Sequence, residues 1–362
     1  MPISSEKNFQ KKLSIFENWI SHKDRYKGKD IKIFPHKSSE ASGFSNETFS
    51  CRVEGKDLHE DIVLRLKPTG FQVFPEYDLG LQVEIMTQLR KFNLPVPEIL
   101  FAEFNEDIIG AEFYVMKYVG GEAPSDNPPY HMDPDGMMGK ASAKEIKSVW
   151  LGWLNNLILV HKLDFNKLDL SLIEKRREED NHLMYDLKYY QSFMEWGMDG
   201  EENPFLEDVL HWLKDKIPRD SNSTKLCWGD SRIGNVLFED FKVKALLDWE
   251  MATIGDPLSD LAWGLTTDDA SSYGLNVKKL SGSISNDEAI KMWEKATGFS
   301  AHNFNYYRIL CLFKFSVIMI RVAKKLINNE IMPLDSDFHI DNHISNYLKK
   351  EFYEINKGRK RV

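Results

Sequence analysis

The sequence predicts an α+β protein in which a small N-terminal lobe, built on an antiparallel sheet with one key helix, precedes a larger, mostly helical C-terminal lobe. Three observations lead there. Short apolar or aromatic runs at 31–34, 49–53, 62–66 and 113–118 are separated by Gly, Pro and polar clusters, the pattern of strands. Among them, 79–91 places Leu81, Ile85 and Leu89 on one face and stops before Asn93 and Pro95, as a helix does. From 120 to about 139 a loop rich in Pro, Asp, Met and Gly intervenes, after which helical patterns dominate. The expected division is 1–116 for the first lobe and 117–362 for the second.

An amphipathic N-terminal helix is expected through Phe16, Trp19 and Ile20. In the second lobe, 143–163 carries Ile146, Val149, Trp150, Trp153, Leu154, Leu157 and Ile158, an apolar face wide enough for a deeply buried helix. Helices follow near 185–196 and 205–216. The run 235–238, opened by Asn235, a turn at Asp240 and Phe241, and 243–247 read as a hairpin between helices. Asp256 and Pro257 look like the N-cap and first turn of the next helix, which makes Asp256 and Asp260 structural candidates. His161, among apolar helix neighbours, reads as a satisfied core residue. The segment 310–320 reads as a buried helix, because it contains Lys314 and is shorter than the roughly 20 residues a membrane span needs.

At 362 residues with 42% hydrophobic and 12% aromatic residues, the chain has ample core material. A net charge of −9 argues against a sequence-independent nucleic-acid binder, and the basic tail at 357–361 reads as a solvated terminus. Cys51, Cys227 and Cys311 share no metal or disulfide spacing, which favours a reducing compartment. The first residues lack the apolar core of a signal peptide, so a cytoplasmic protein without a membrane partner is expected.

The chemistry concentrates in Cys227-Trp228-Gly229-Asp230-Ser231-Arg232-Ile233-Gly234-Asn235 and in the run 244–250. Phosphoryl transfer needs an oriented carboxylate, metal ligands and fixed cations rather than a nucleophile of the protein's own. Asp230 is the candidate that orients an acceptor hydroxyl and takes its proton late, although Gly-Asp alone is common turn vocabulary. Arg232 can fork onto phosphate oxygens. Asn235, five residues after Asp230, and Asp248, ending an apolar run, are hard-oxygen ligands suited to magnesium. Asp230, Asp248 and Glu250, if brought together, would repel by about 4 kcal/mol per pair at about 4 Å and an effective dielectric of about 20, a conflict that a divalent cation resolves.

The first lobe is then expected to cradle the nucleotide. Ser42, Gly43, Phe44, Ser45 and Asn46 precede a strand and could fold over phosphates through backbone amides, or form an ordinary turn. Arg65 on the strand and Glu84 on the following helix stand in the order of the strand cation and helix Glu that pair in kinases. Lys67 competes with Arg65, since alternation puts both on one face. Met116 to Val119, including Tyr118, would meet the adenine.

Ser45-Asn46-Glu47-Thr48, Leu94-Pro95-Val96-Pro97, the 228–238 motif and Leu247-Asp248-Trp249-Glu250-Met251-Ala252-Thr253-Ile254-Gly255-Asp256-Pro257 together resemble the aminoglycoside phosphotransferase and choline kinase-like family. The branch most similar to them is the kinase domains associated with acyl-CoA dehydrogenases. The resemblance implies a bilobal protein-kinase-like fold, ATP and Mg2+, and a small-molecule hydroxyl acceptor, with hydroxyacyl-CoA species as one class and aminoglycosides or amino alcohols as the alternative. One position departs from the family pattern: Trp228 stands where a His usually precedes the catalytic Asp by two residues, which leaves a catalytically weak nucleotide-binding scaffold as the competing expectation. A protein kinase fits less well, because no Ala-Pro-Glu segment follows Asp248.

Overall fold

A computed structural model describes residues 2–36, 46–164, 167–174 and 182–357. The chain divides into two compact units, one of residues 1–87 with 97–119 and one of 88–96 with 120–362.

The first unit contains α1 (Pro2–Ser21), β1 (Lys32–Pro35), β2 (Glu47–Gly55), β3 (Leu58–Leu66), most of α2 (Leu79–Lys91), β4 (Ile99–Glu103) and β5 (Phe113–Lys117). Its strands form one antiparallel sheet in the order β1-β2-β3-β5-β4. β2 and β3 are longer than their apolar runs because they are a hairpin in continuous register from Glu47 opposite Leu66 to Gly55 opposite Leu58. Its tight turn is closed by Asp57 in the left-handed region, at φ 56°. β4 escapes the pattern reading because every one of its residues is half-buried, so no alternation marks it. The core gathers Phe16 and Ile20 of α1 with Val53, Ile62, Leu64, Phe113 and Val115 of the sheet. The Phe16 ring meets Phe113 edge-on at 5.8 Å, and the Trp19 indole meets it at 4.8 Å.

The second unit continues through α3 (Ala143–Lys162), a single turn α4 (Ser171–Glu174), α5 (His182–Met198), α6 (Pro204–Asp215), β6 (Lys225–Cys227), β7 (Val236–Glu239), β8 (Lys242–Leu246), β9 (Thr253–Gly255), α7 (Leu258–Ala270), α8 (Asn286–Thr297), α9 (Phe304–Asn328) and α10 (His343–Asn356). α3 buries the predicted face and starts on a capping box between Ser142 and Glu145. β7 and β8 form the expected hairpin, and β6 pairs with β9. α9 packs against α5, α6, α7 and α10. The apolar stretch at 310–320 is its buried middle, and among the described residues no helix is long and apolar enough to cross a membrane. At the start of α7 the cap position is Pro257 rather than Asp256. The Asp256 carboxylate still serves the helix, accepting from the Leu258 N–H at 2.9 Å and, through its other oxygen, from the Tyr307 hydroxyl at 3.1 Å.

Charge is buried at the far end of α7. Lys279 bridges Asp268 and Asp269 at 2.5 and 2.6 Å, and Arg308 links Asp269 to Glu351 at 2.6 Å each. Asp268 also accepts from the Tyr130 hydroxyl and from His131. The Leu280 N–H donates to His131 Nδ1, so Nε2 carries the ring proton that meets Asp268. Burial pushes the Asp268 pKa up, yet Lys279 and His131 outweigh it and hold the carboxyl below its ordinary 3.8.

Stability should therefore depend on Lys279. Removing it in Lys279→Met leaves Asp268 without a cation and Asp269 sharing Arg308 with Glu351, and is expected to cost about 3–5 kcal/mol in urea denaturation at neutral pH. A folded-state pKa below the unfolded value contributes stability above pH 4 that is lost as pH falls. The gap between wild type and variant should accordingly narrow when the titration is repeated below about pH 4.

Candidate active site

The segment from β6 to β7 is held by hydrogen bonds on nearly every residue. Asp260 of α7 accepts the Trp228 N–H at 2.6 Å and the Gly229 N–H at 2.8 Å, one on each carboxylate oxygen. Ser231 Oγ donates to the Asp260 backbone carbonyl, and the Ser231 carbonyl accepts from the Trp153 indole, both at 2.6 Å. Gly229 sits at φ +86°, and a Cβ there would lie 2.0 Å from the Met251 carbonyl oxygen, so the turn before Asp230 admits only glycine. Asp260 is itself oriented. Trp293 Nε1–H donates to His161 Nδ1, leaving Nε2–H to donate to Asp260. The expected core role of His161 is thus a link in a buried chain that ends on the loop.

Asp230 is delivered with both carboxylate oxygens engaged. Oδ1 accepts from the Trp263 indole at 2.6 Å, and Oδ2 from Arg232 Nε at 3.0 Å. Arg232 Nη1 reaches Asp126 at 2.7 Å, while Nη2 makes no hydrogen bond among the described residues. Burial alone lowers the Arg232 pKa, but Asp230, Asp126 and Asp248 reverse this and hold the guanidinium above its ordinary value. Asp126 is pushed up by its crowded surroundings and by Asp230 and Asp248, with Arg232 pulling the other way.

Asn235 closes a 3-10 turn, Ile233–Asn235, rather than opening the strand. Its Nδ2 donates to the Asp230 carbonyl at 2.9 Å, which leaves Oδ1 without a hydrogen bond among the described residues. Its own carbonyl accepts the Leu247 N–H at 2.8 Å, tying the loop to the residue before Asp248. β8 ends at Leu246, so Asp248 is not at a buried strand end. It lies half-buried in a turn at φ +58°, a left-handed conformation that Asp tolerates better than most residues. Glu250 is half-buried two residues on. Among the described residues no group of three or more His, Cys, Asp or Glu side chains is arranged to hold a metal.

Trp228 is fully buried and stacks on Trp249 with ring centroids 5.4 Å apart. Its indole N–H donates to the Leu247 carbonyl at 2.8 Å. The residue that departs from the family pattern therefore joins the strand before Asp230 to the turn that carries Asp248.

Of the residues expected around the nucleotide, Ser42, Gly43, Phe44 and Ser45 lie outside the described residues. Asn46 is buried just before β2. Arg65 is buried on β3, paired in register with Tyr114 and Thr48, and Glu84 is half-buried on α2. Lys67, past the end of β3, meets Glu112 at 2.9 Å and Glu106 at 3.4 Å, which commits it to the surface and leaves Arg65 as the buried strand cation. Met116 is buried on β5, whereas Tyr118 is exposed and stacks on His36.

Pattern reading missed Asp126 and Trp263. Asp126 belongs to an aperiodic loop 106 residues from Arg232, and the contact that reserves space for it, a Gly234 whose Cβ would fall 2.7 Å from its carboxylate, exists only in the folded chain. Trp263 resembles any other apolar residue on α7.

A model of the phosphotransferase enzyme family matches residues 40–286. Acyl-CoA dehydrogenase family member 11 of Rattus norvegicus is 27% identical over 294 residues, covering 76% of this chain and 35% of that protein, so the chain spans about a third of that relative's length. A solved Ralstonia eutropha protein assigned to the aminoglycoside phosphotransferases has a TM-score of 0.70 at 19% identity and covers 95% of this chain and 98% of that one. An aminoglycoside phosphotransferase solved with AMP-PNP and hygromycin B has a TM-score of 0.58 at 12% identity, covering 96% and 99%. The two structures share the kinase-like fold, and the relative belongs to the branch to which the motifs pointed.

The Trp228 bond gives a direct test. Trp228→Phe keeps an aromatic ring against Trp249 but leaves a half-buried carbonyl without its donor. It is expected to lower the unfolding free energy by about 1–3 kcal/mol in urea denaturation. Trp228→Ala, which also opens a cavity, should cost about 3–5 kcal/mol.

Proposed function

We propose that this chain, which belongs to the phosphotransferase enzyme family, moves the γ-phosphate of ATP to a hydroxyl group of a small molecule. The observation that carries this reading is Asp230, a nearly buried carboxylate aimed by Trp263 and Arg232 beside a guanidinium that keeps Nη2 for a phosphate oxygen. In the reaction, the acceptor hydroxyl oxygen forms a bond to the γ-phosphorus while the bond to the bridging oxygen of ADP breaks. Asp230 orients the hydroxyl and takes its proton late, and Arg232 neutralises charge on the transferring group.

Asn235 Oδ1 and the Asp248 carboxylate would hold Mg2+. They fit it by donor type, being hard oxygens, and by charge, since Asp230, Asp126 and Asp248 act together on the one guanidinium of Arg232. The ion, when bound, offsets the charge of the triphosphate. Nucleotide contacts are assigned to Arg65, Glu84, Asn46, Met116 and Tyr118, with Ser42 to Ser45 as the phosphate loop. The bound AMP-PNP of a neighbour in fold supports ATP as donor.

Hydroxyacyl-CoA is the acceptor class favoured by kinship with an acyl-CoA dehydrogenase family member. A second reading, an aminoglycoside or amino-alcohol kinase, is supported by a polar cavity of about 790 Å³ at the C-terminal end of α7, where Asp269, Asp287, Glu351 and Glu354 outnumber Lys279, Arg308 and Lys350. A catalytically weak scaffold was motivated by Trp228, and the bond from its indole to the Leu247 carbonyl weakens that motive.

ADP release should be followed across hydroxyacyl-CoAs, aminoglycosides, amino alcohols and sugars. With the accepted substrate, Asp230→Asn is expected to lower kcat by about 10²–10⁴ while ATP still binds. Retained Mg2+-dependent turnover in that variant would remove Asp230 from its role. Asp248→Asn should raise the Mg2+ concentration needed for half-maximal rate, and chelation by EDTA should abolish turnover.

A further inference from the structure

Within the helical unit, a cavity of about 210 Å³ opens between the start of α6, the middle of α9 and the segment leading into α10. It belongs to none of the machinery described above. Its apolar wall includes Phe205, Leu206 and Ile340, and its polar wall includes Ser316, His339 and Lys349. Ser316 is 2% exposed, and its Oγ has no hydrogen-bond partner among the described residues. A buried hydroxyl without a partner is costly, so its presence in a cavity wall points to something that completes it. His339 gives a second such atom. Its Nε2 meets Glu201 at 2.8 Å, and its buried Nδ1 has no partner among the described residues.

The charge around the cavity has a sign. Lys349 forms no ion pair among the described residues, and its Nζ rests 5.6 Å over the Phe205 ring. The N-cap Asn203 of α6 and Ser345 in the first turn of α10 both line the cavity, which places the starts of two helices at its wall. Glu201 is engaged by Lys324 and His339, and the acid in the wall, Glu202, is exposed. A volume of about 210 Å³ corresponds to roughly seven water-sized bodies at about 30 Å³ each. That suits a fragment rather than a cofactor.

We infer that this cavity binds a small carboxylate with a short apolar body. The carboxylate accepts from Lys349 and the Ser316 hydroxyl, and the apolar body lies against Phe205, Leu206 and Ile340. This assignment is independent of the reaction proposed above.

The test is saturation-transfer NMR on the full chain with hexanoate, hexylamine and hexan-1-ol, titrated in parallel. Hexanoate should bind saturably, at least about tenfold more tightly than the amine or the alcohol, the difference expected when one charged hydrogen bond is made. Lys349→Met should remove that preference by a comparable factor. Ser316→Leu, which fills the cavity, should abolish binding without lowering the melting temperature; if that variant fails to fold, Lys349→Met decides. No saturable binding, equal binding of the three probes, or hexanoate binding unchanged by Lys349→Met would overturn the assignment.

Discussion

The Asp260 carboxylate is the interaction on which the rest of the site depends. Each of its oxygens takes one backbone N–H from the residues before Asp230. Hydrogen bonds to a charged acceptor contribute about 1.5–3 kcal/mol each, comparable with the backbone entropy of about 1–2 kcal/mol per residue lost by the two residues they fix. The carboxylate is buried, so it needs a fixed partner on its other side, and the pair Trp293 and His161 supplies one. Because Asp260 lies on α7, the loop inherits the rigidity of a helix packed on α9. Trp263, one turn further along α7, then aims the Asp230 side chain. One helix therefore sets both the backbone of the loop and the direction of its central carboxylate.

Trp228 extends the same logic to the second acid. The backbone of Trp228 is fixed by Asp260, while its indole fixes the Leu247 carbonyl, and the Leu247 N–H returns to Asn235. Asp230, Asn235 and Asp248 thus sit on two segments joined from both sides. A residue that looks like a defect beside the family pattern supplies a donor to the turn that carries Asp248, and the large ring fills its space by stacking on Trp249. Asp126 adds a second carboxylate to Arg232.

The sequence made the spacing of Asp230, Arg232 and Asn235 legible because those contacts are local. It made the hairpin of β7 and β8, the buried face of α3 and the bounds of α2 legible because periodicity reports burial. The strand before Asp248 ends at Leu246, one residue earlier than its apolar run, since such a run does not reveal where the backbone turns into a left-handed conformation. Asp126 and Trp263 were illegible for a different reason. Their partners lie 106 and 33 residues away, and pairing at that range leaves no local pattern. Asp260 was visible as a structural helix residue, but its carboxylate could not be traced to the loop from spacing alone.

On the proposed reading, the loop that carries Asp230 transfers a phosphoryl group to a hydroxyl. The most direct measurement is the fate of label from [γ-32P]ATP incubated with the chain, Mg2+ and a panel of hydroxyl compounds, read by chromatography and product mass. Label should be recovered in one acceptor as a phosphate ester on an alcohol oxygen. Label that remains in ATP or appears only as inorganic phosphate, across the whole panel and with nucleotide bound, would contradict it.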